Sequence, residues 1–178
     1  ASDVYKRQSL PKSANYVKTV SEAINSGVTI KNNNSHGSGF LISPDGHIIT
    51  NYHVIAGNKD MKVVLNDGKE YEFEVIRESR VHDLALLKID AKGLRHFTIS
   101  PSRDIEIGNT VYAIGTPSST SLSQSISKGI ISGVRDNDNK AKQIQTDVSV
   151  NGGNSGGALI NKQGVVIGVV SSKLIGIG

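Results

Sequence analysis

The sequence predicts an all-β fold, and three observations carry that prediction. Short runs rich in apolar and β-branched residues follow one another from residue 28 onward. Clusters of Gly, Pro, Asn and Asp separate these runs, and helical spacing of apolar residues is confined to the N-terminal segment. Many short strands with close turns are typical of β-sandwiches and β-barrels, not of a parallel α/β sheet.

The individual elements follow from this pattern. Tyr16, Val17, Val20 and Ile24 recur at helical spacing before Gly27, which predicts a short amphipathic helix over residues 13–25. The predicted strands are 28–30, 39–43, 47–50, 61–65, 70–77, 84–89, 110–114, 125–134, 143–147, 158–160 and 165–171. Turn signals lie at 44–46, 66–68, 136–139 and 161–164. The best candidate for a joint, or linker, between two halves of the chain lies at 101–108.

The composition excludes several classes of function. The chain has 178 residues, of which 37% are hydrophobic, and no window approaches the roughly 20 apolar residues of a membrane-spanning helix. The net charge is +4 without a dense run of Lys and Arg, which argues against nucleic-acid binding. The chain has no cysteine. No histidine pair has metal-ligand spacing, and no glycine-rich turn precedes Lys128, so we expect neither a metal nor another cofactor.

A glycine-rich stretch, NGGNSGGALI at residues 151–160, contains the candidate nucleophile Ser155. A serine hydroxyl needs a base, a group that orients the base, and amide donors for the oxyanion. The glycines allow the amides of Gly153 and Ser155 to converge on one point, and Gly156 and Gly157 leave room for a substrate. The same stretch also fits the tip of a β-hairpin, so the motif alone does not decide.

The best candidate base is His53, which stands where a β-run ends and a helical turn begins. The orienting carboxylate is best sought at Asp83, directly before the apolar run LALLKI. His82 is a rival base, but neighbouring side chains in extended backbone point to opposite faces, so His82 cannot readily bond Asp83. The remaining histidines and aspartates have the contexts of ordinary surface or turn residues: His36, His47, His96, Asp60, Asp67, Asp90 and Asp104.

The order histidine, aspartate, serine is that of chymotrypsin-type enzymes. Four segments, GSGFLISPDGHIITNYHVI, DLALLKI, GNTVYAIGTP and IQTDVSVNGGNSGGALINKQGVVIGVV, resemble the trypsin-like protease domain of the high-temperature-requirement (HtrA or Deg) family. The resemblance covers residue 28 to the C-terminus. It implies a chymotrypsin/trypsin-like double β-barrel with a short N-terminal helix, two perpendicular six-stranded barrels, and a catalytic cleft between them.

The resemblance also implies a role for each site residue. His53 would be general base and then general acid, Asp83 would orient it, and Ser155 would attack the scissile carbonyl. The Gly153 and Ser155 amides would form the oxyanion hole. The predicted lining of the substrate pocket is Ser149, Val150, Val170 and Ser171. Because this lining has no carboxylate for Lys or Arg, we expect cleavage after small or medium aliphatic residues.

The expected organisation has four parts: a non-native or disordered segment at 1–8, a helical segment at 9–27, a first barrel at 28–100, and a second barrel at 101–178 whose last strand is missing. The resemblance implies unfolded or damaged proteins as substrates, a homotrimer, and location in the cell envelope, although no signal peptide is visible. The family usually has proline where this chain has Gly152. A looser oxyanion loop therefore gives an alternative, a catalytically idle binding or chaperone-like module.

Overall fold

The computed structural model describes residues 15–100, 105–116, 124–135, 142–150, 152–171 and 175–176. Its helices are α1 (Val20–Ala23), α2 (Tyr52–Ile55) and a 3-10 helix at Gly152–Asn154. The N-terminal half contains β1 (Gly27–Lys31), β2 (His36–Leu41), β3 (His47–Thr50), β4 (Lys62–Val64), β5 (Glu70–Tyr71), β6 (Glu74–Ser79) and β7 (Leu84–Lys88). The C-terminal half contains β8 (Thr110–Gly115), β9 (Ser125–Arg135), β10 (Gln143–Thr146), β11 (Ala158–Ile160), β12 (Val166–Val169) and β13 (Ile175–Gly176).

The first seven strands form one antiparallel sheet in the order β5-β4-β1-β2-β3-β7-β6. Buried and half-buried residues alternate along β3 and β7, because successive side chains of a strand point to opposite faces. The predicted strand at 70–77 is divided into β5 and β6. The resemblance implied six strands here, and the described residues contain seven.

The remaining strands form a closed antiparallel barrel in the order β10-β13-β12-β11-β8-β9. The two-residue strand β13 pairs with β10 through Gln143 and Ile144 and with β12 through Val169. Within the described residues β13 therefore closes the barrel between β10 and β12, and the expectation of a missing last strand stays a prediction. The all-β, double-barrel prediction is confirmed.

Each sheet has its own apolar core, and a third cluster joins the two sheets. Ile30, Ile48 and Leu87 lie in the core of the first sheet, whereas Val111 and Leu159 lie in that of the second. The joining cluster comprises Val17, Ala23, Phe40, Phe97, Ile114, Ala158, Ile160, Val166 and Val169. Its two phenylalanine rings meet edge to face at 5.8 Å. Burial of these side chains holds the facing edges of the two sheets together.

The N-terminal helix is shorter than predicted. Tyr16 forms a parallel bridge with His96, and the Val17 amide donates to the His96 carbonyl at 2.8 Å. Because of this pairing, the first part of the segment predicted as helix is not helical. Thr19 is the N-cap and accepts from the Glu22 amide, so the helix begins at Val20. The Glu22 side chain accepts from the Lys18 amide at 3.3 Å, so only the threonine half of a capping box is formed. The threonine N-cap is a start signal that apolar spacing alone overlooks.

Some predicted boundaries lie outside the described residues. These are the segment at 1–8, the start of the helical segment, the turn at 136–139 and part of the joint at 101–108. The division into barrels at 28–100 and 101–178 stays a prediction. Within the described ranges, no helix has the length and apolar character needed to cross a membrane.

Candidate active site

His53 is held by the junction between β3 and α2. The strand ends at Thr50, Asn51 is the N-cap of the helix, and His53 is its second residue. The His53 amide donates to Asp83 Oδ1 at 2.8 Å, so a carboxylate takes one of the free donors at the start of the helix. The imidazole is 45% exposed. The backbone around His53 is fixed by these contacts, while the imidazole remains accessible from outside.

Asp83 lies in the turn between β6 and β7, in the left-handed region with φ of 53°. Its Oδ2 is 2.6 Å from His53 Nδ1, and its Oδ1 takes the His53 amide. One carboxylate therefore holds both the backbone and the ring of His53. The argument that set His82 aside assumed extended backbone, which is wrong for this turn. His82 Nδ1 instead pairs with Ser79 Oγ at 3.0 Å.

Ser155 completes a chain of hydrogen bonds. Its Oγ lies 2.8 Å from His53 Nε2, and its side chain is buried between the two sheets. Because a carboxylate only accepts, the Nδ1 that faces Asp83 carries the proton and Nε2 is left as an acceptor. The serine hydroxyl then donates to Nε2. This tautomer is assigned from the hydrogen-bond partners.

The segment before Ser155 is the 3-10 helix at Gly152–Asn154. In such a helix each carbonyl faces the amide three residues later, which directs the Gly152 carbonyl toward the Ser155 amide. After the serine, Gly156 has φ of 92°, and a Cβ there would overlap the Ser38 carbonyl oxygen. Only glycine fits this close approach of one backbone to another.

The loop of residues 152–157, which contains Ser155 and is called the serine loop below, is joined to the first sheet by buried polar contacts. Ser38 lies in β2, and its amide donates to the Ser155 carbonyl at 2.9 Å. Its hydroxyl donates to the Gly153 carbonyl at 2.6 Å and accepts from the Thr116 amide at 2.9 Å. Thr50 Oγ1 donates to the Ser38 carbonyl at 2.7 Å. Ser38 therefore fixes the position of the serine loop relative to β2.

The four predicted pocket residues lie in different environments. Ser149 and Val150 are exposed, and Ser171 is half-buried. Val170 is fully buried, and its side chain belongs to the core of the second barrel. Asp147, just before this segment, accepts from the Ile130 amide at 2.8 Å. One of its two carboxylate oxygens, Oδ1, therefore bonds the backbone of β9.

Other polar features lie away from the three candidate residues. A polar cavity of about 580 Å³ lies between the β1–β2 turn and the loop after α2, with Lys31, Asn32 and Lys59 in its lining, and none of the candidate site residues lines it. His47 Nδ1 pairs with Ser43 Oγ at 2.8 Å without a carboxylate. Among the described residues, no three His, Asp or Glu side chains come together as a metal site would require.

Two residues at this site were missed by sequence reasoning, Ser38 and Asn51. Both are buried, and both bond the serine loop. Their sequence context gave only weak signals, because a serine between two glycines and an asparagine before a helix are ordinary features of strands and N-caps. Their contacts lie more than 100 positions away along the chain.

Comparison with known proteins points to one family. Residues 37–169 match the trypsin-like peptidase domain family. Over 140 residues the chain is 45% identical to a probable periplasmic serine endoprotease, DegP-like, of Halomonas elongata, in a match that covers 77% of this chain and 29% of that protein. It is 42% identical over 141 residues to serine endoprotease DegS of Haemophilus influenzae, covering 76% of this chain and 41% of that protein.

Two further relatives extend the comparison. Protease Do-like 1, chloroplastic, of Arabidopsis thaliana is 39% identical over 142 residues, which are 75% of this chain and 32% of that protein. The solved structure of the HtrA-type protease AlgW with a decapeptide has a TM-score of 0.76 and 29% identity, and the match covers 89% of this chain and 62% of that one. The chain thus spans 29% to 41% of the length of these three curated relatives.

Proposed function

Since the chain belongs to the trypsin-like peptidase family and resembles its HtrA and Deg members, we propose that it is a serine endopeptidase. The observation that carries the proposal is the hydrogen-bond chain from Asp83 Oδ2 through the His53 ring to Ser155 Oγ, with contacts of 2.6 and 2.8 Å. An aspartate that orients a histidine beside a serine hydroxyl is the arrangement needed to activate that hydroxyl at neutral pH.

In the proposed reaction Ser155 Oγ attacks the scissile carbonyl carbon while its proton moves to His53 Nε2. The resulting imidazolium then gives that proton to the leaving nitrogen, and the carbon–nitrogen bond breaks to leave an ester on Ser155. A water molecule attacks the ester by the same route, with His53 again taking and returning the proton. Asp83 keeps its negative charge throughout and stabilises the imidazolium.

Formation of the oxyanion hole requires a change in the backbone conformation before Ser155. We assign its donors to the Gly153 and Ser155 amides, but a 3-10 helix at Gly152–Asn154 directs the Ser155 amide toward the Gly152 carbonyl. Formation of the hole therefore needs the peptide between Gly152 and Gly153 to rotate when substrate arrives. Two consecutive glycines make that rotation easy.

The same 3-10 helix favours the alternative function, an idle binding or chaperone-like module. If the loop stayed in this shape, a tetrahedral intermediate would lack one of its two donors. Loss of one oxyanion donor costs roughly 100- to 1000-fold in turnover. The two functions differ in one measurable property, which is whether Ser155 reacts with an electrophile.

Labelling with a fluorophosphonate probe tests the proposal. We expect folded wild-type protein to be labelled and the Ser155→Ala variant to be unlabelled. Ser43→Ala is the matched control, because Ser43 also faces a histidine nitrogen at 2.8 Å but lacks a carboxylate behind it. Labelling of that variant should equal the wild type. Folded wild-type protein that resists the probe would favour the idle module, and labelling that persists in Ser155→Ala would reject Ser155 as the nucleophile.

For specificity we propose cleavage after Val, Ala or Ile. The proposed pocket residues Ser149, Val150, Val170 and Ser171 include no charge, and the nearby Asp147 carboxylate is bonded to the Ile130 amide. A cationic side chain would therefore find no ionic partner among these four lining residues, and burying it unpaired is costly. Profiling cleavage sites in a peptide library checks this, and a strong preference for Lys or Arg contradicts it.

For substrates and setting, the proposal follows the family. Unfolded or damaged proteins are the proposed substrates, an extracytoplasmic compartment the proposed location, and a homotrimer the proposed assembly. The name of the Halomonas elongata relative contains the word periplasmic, which supports the location. Faster degradation of a reduced, unfolded protein than of its native form would support the substrate class, and light scattering would test the trimer.

A further inference from the structure

Asn51 is the N-cap residue of α2, yet its side chain makes no capping hydrogen bond. An asparagine at this position ordinarily accepts from an amide in the first turn of the helix. Here the His53 amide, which is one such donor, bonds Asp83 Oδ1 at 2.8 Å instead. The Asn51 side chain, with the residue only 2% exposed, is therefore released from its usual local role and is buried beside the candidate nucleophile.

The two ends of the Asn51 amide contact the two other parts of the site. Nδ2 donates to the Asp83 main-chain carbonyl at 3.2 Å, and Oδ1 accepts from Ser155 Oγ at 3.2 Å. A main-chain carbonyl can only accept, so the end that faces Asp83 must be the NH₂ group. This settles the orientation of the amide, and it leaves the carbonyl oxygen facing the serine.

We infer that Asn51 is a positioning residue for the nucleophile, an inference that rests on the proposed role of Ser155. The serine hydroxyl lies between two acceptors, His53 Nε2 at 2.8 Å and Asn51 Oδ1 at 3.2 Å. A hydroxyl has one proton, so the two acceptors share it. The shorter contact, to the base, takes the larger part, and the longer contact to Asn51 confines the oxygen from another side. Fewer rotamers are then open to the hydroxyl, so it spends more time within reach of His53.

Asn51 also couples the two sheets through a single side chain. Its backbone and the Asp83 carbonyl belong to the first sheet, whereas Ser155 belongs to the second. Asn51 therefore ties the position of the serine to that of the Asp83 turn, which holds His53.

The first test is kinetic. Asn51→Ala should reduce kcat and the rate constant of fluorophosphonate labelling by roughly 10- to 100-fold, while KM stays within twofold. Asn58→Ala is the matched control, because Asn58 Nδ2 bonds the Val54 carbonyl near the other end of α2 and has no contact with the serine. Its kcat should stay within twofold of wild type. A folded Asn51→Ala protein labelled within twofold of the wild-type rate overturns the inference.

Asn51→Asp decides the question if the alanine variant does not fold. The aspartate has the same shape and keeps an acceptor toward Ser155, but it cannot donate to the Asp83 carbonyl. We expect kcat to fall at least about tenfold, since two oxygens would then face each other across the former hydrogen bond. A wild-type kcat in this variant would contradict a positioning role.

A double-mutant cycle on thermal unfolding reads the Asn51–Ser155 contact without any activity. Asn51→Ala should lower the Tm more in the wild type than in the Ser155→Ala protein, which has already lost the bond. The two decreases in Tm should differ by roughly 2 °C or more. Additive changes in Tm overturn the inference. If the wild-type protein is not labelled by the fluorophosphonate, the proposed function is contradicted. The double-mutant cycle then still measures whether Asn51 and Ser155 interact.

Discussion

The two halves of the candidate site are held by different kinds of contact. In the first sheet, one side chain, that of Asp83, bonds both the amide and the ring of His53. In the second barrel, Ser155 is held mainly by backbone: its carbonyl accepts from the Ser38 amide, and the Gly156 amide donates to the Val170 carbonyl. The first half is therefore fixed by two residues, and the second by the close approach of several chain segments.

This difference teaches which half depends on the docking of the two sheets. The contact between His53 and Asp83 lies within the first sheet and needs nothing from the second. The serine loop is bonded to β2 through Ser38, and its glycines bond Val170, the residue directly after β12. A substitution in the first half should therefore change chemistry with little change in stability, and one in the second half should change both.

Asp83→Asn should have the largest effect and should act on chemistry. The neutral amide cannot stabilise the imidazolium and favours the wrong tautomer of His53, so kcat should fall by roughly 10³- to 10⁴-fold. Asparagine tolerates the left-handed φ of 53° at this position, so the fold should survive. Peptide hydrolysis and a thermal melt measure the two effects. Asp90→Asn, at an exposed aspartate just after β7, is the control, and an effect below tenfold at Asp83 would contradict the prediction.

Gly156→Ala should come next, and it should break the second half. The new Cβ would overlap the Ser38 carbonyl and sit at φ of 92°. We expect a loss of about 3 kcal/mol or more in the free energy of unfolding, together with loss of fluorophosphonate labelling. Chemical denaturation checks the stability.

The control for Gly156→Ala is Gly93→Ala. Gly93 has φ of 68° with open space around it, so alanine there should cost only the backbone strain of about 1–2 kcal/mol. Equal costs at the two positions would show that the close approach to Ser38 does not matter.

Ser38→Ala should have a moderate effect that links the two halves. It leaves the Gly153 carbonyl and the Thr116 amide without the Ser38 hydroxyl, in a buried region. The expected loss is about 1–3 kcal/mol of unfolding free energy. Ser132→Ala, at an exposed serine in β9, should change stability by less than about 0.5 kcal/mol. A neutral Ser38→Ala would mean that the serine loop does not depend on the Ser38 hydroxyl.

Gly152→Pro should have the smallest effect on the free energy of unfolding, and it should raise this free energy where Gly156→Ala and Ser38→Ala lower it. Proline fits the φ of a first helical position, where no amide donor is needed, and it restricts the unfolded chain. Measured in the Ser155→Ala protein, the variant should gain about 0.4–1 kcal/mol of stability. A lower Tm would show that the loop needs a φ that proline cannot adopt.

Local patterns in the sequence predicted much of the fold, for reasons that particular elements make clear. The strands around Ile48 and Leu87 alternate in burial, and such a period of two is visible in any short window. The Thr19 N-cap of α1 is equally local, although apolar spacing alone placed the start of this helix too early. The bridge between Tyr16 and His96 was not predictable in this way, because its partners lie 80 positions apart and neither residue type signals the pairing.

The sequence by itself determined the strand pattern, the glycine-rich turn at Ser155, and His53 and Asp83 as the candidates to accompany it. Only the tertiary structure decided that Asp83 reaches His53 from a left-handed turn, that Ser38 holds the Gly153 carbonyl, and that Asn51 contacts the serine. The physical reason is range. Burial periods and turn signals are set by neighbours along the chain. The bond between His53 and Asp83, 30 positions apart, exists only after the first sheet has formed, and the bonds of Ser38 and Asn51 to the serine loop, 115 and 104 positions apart, exist only after the two sheets have packed.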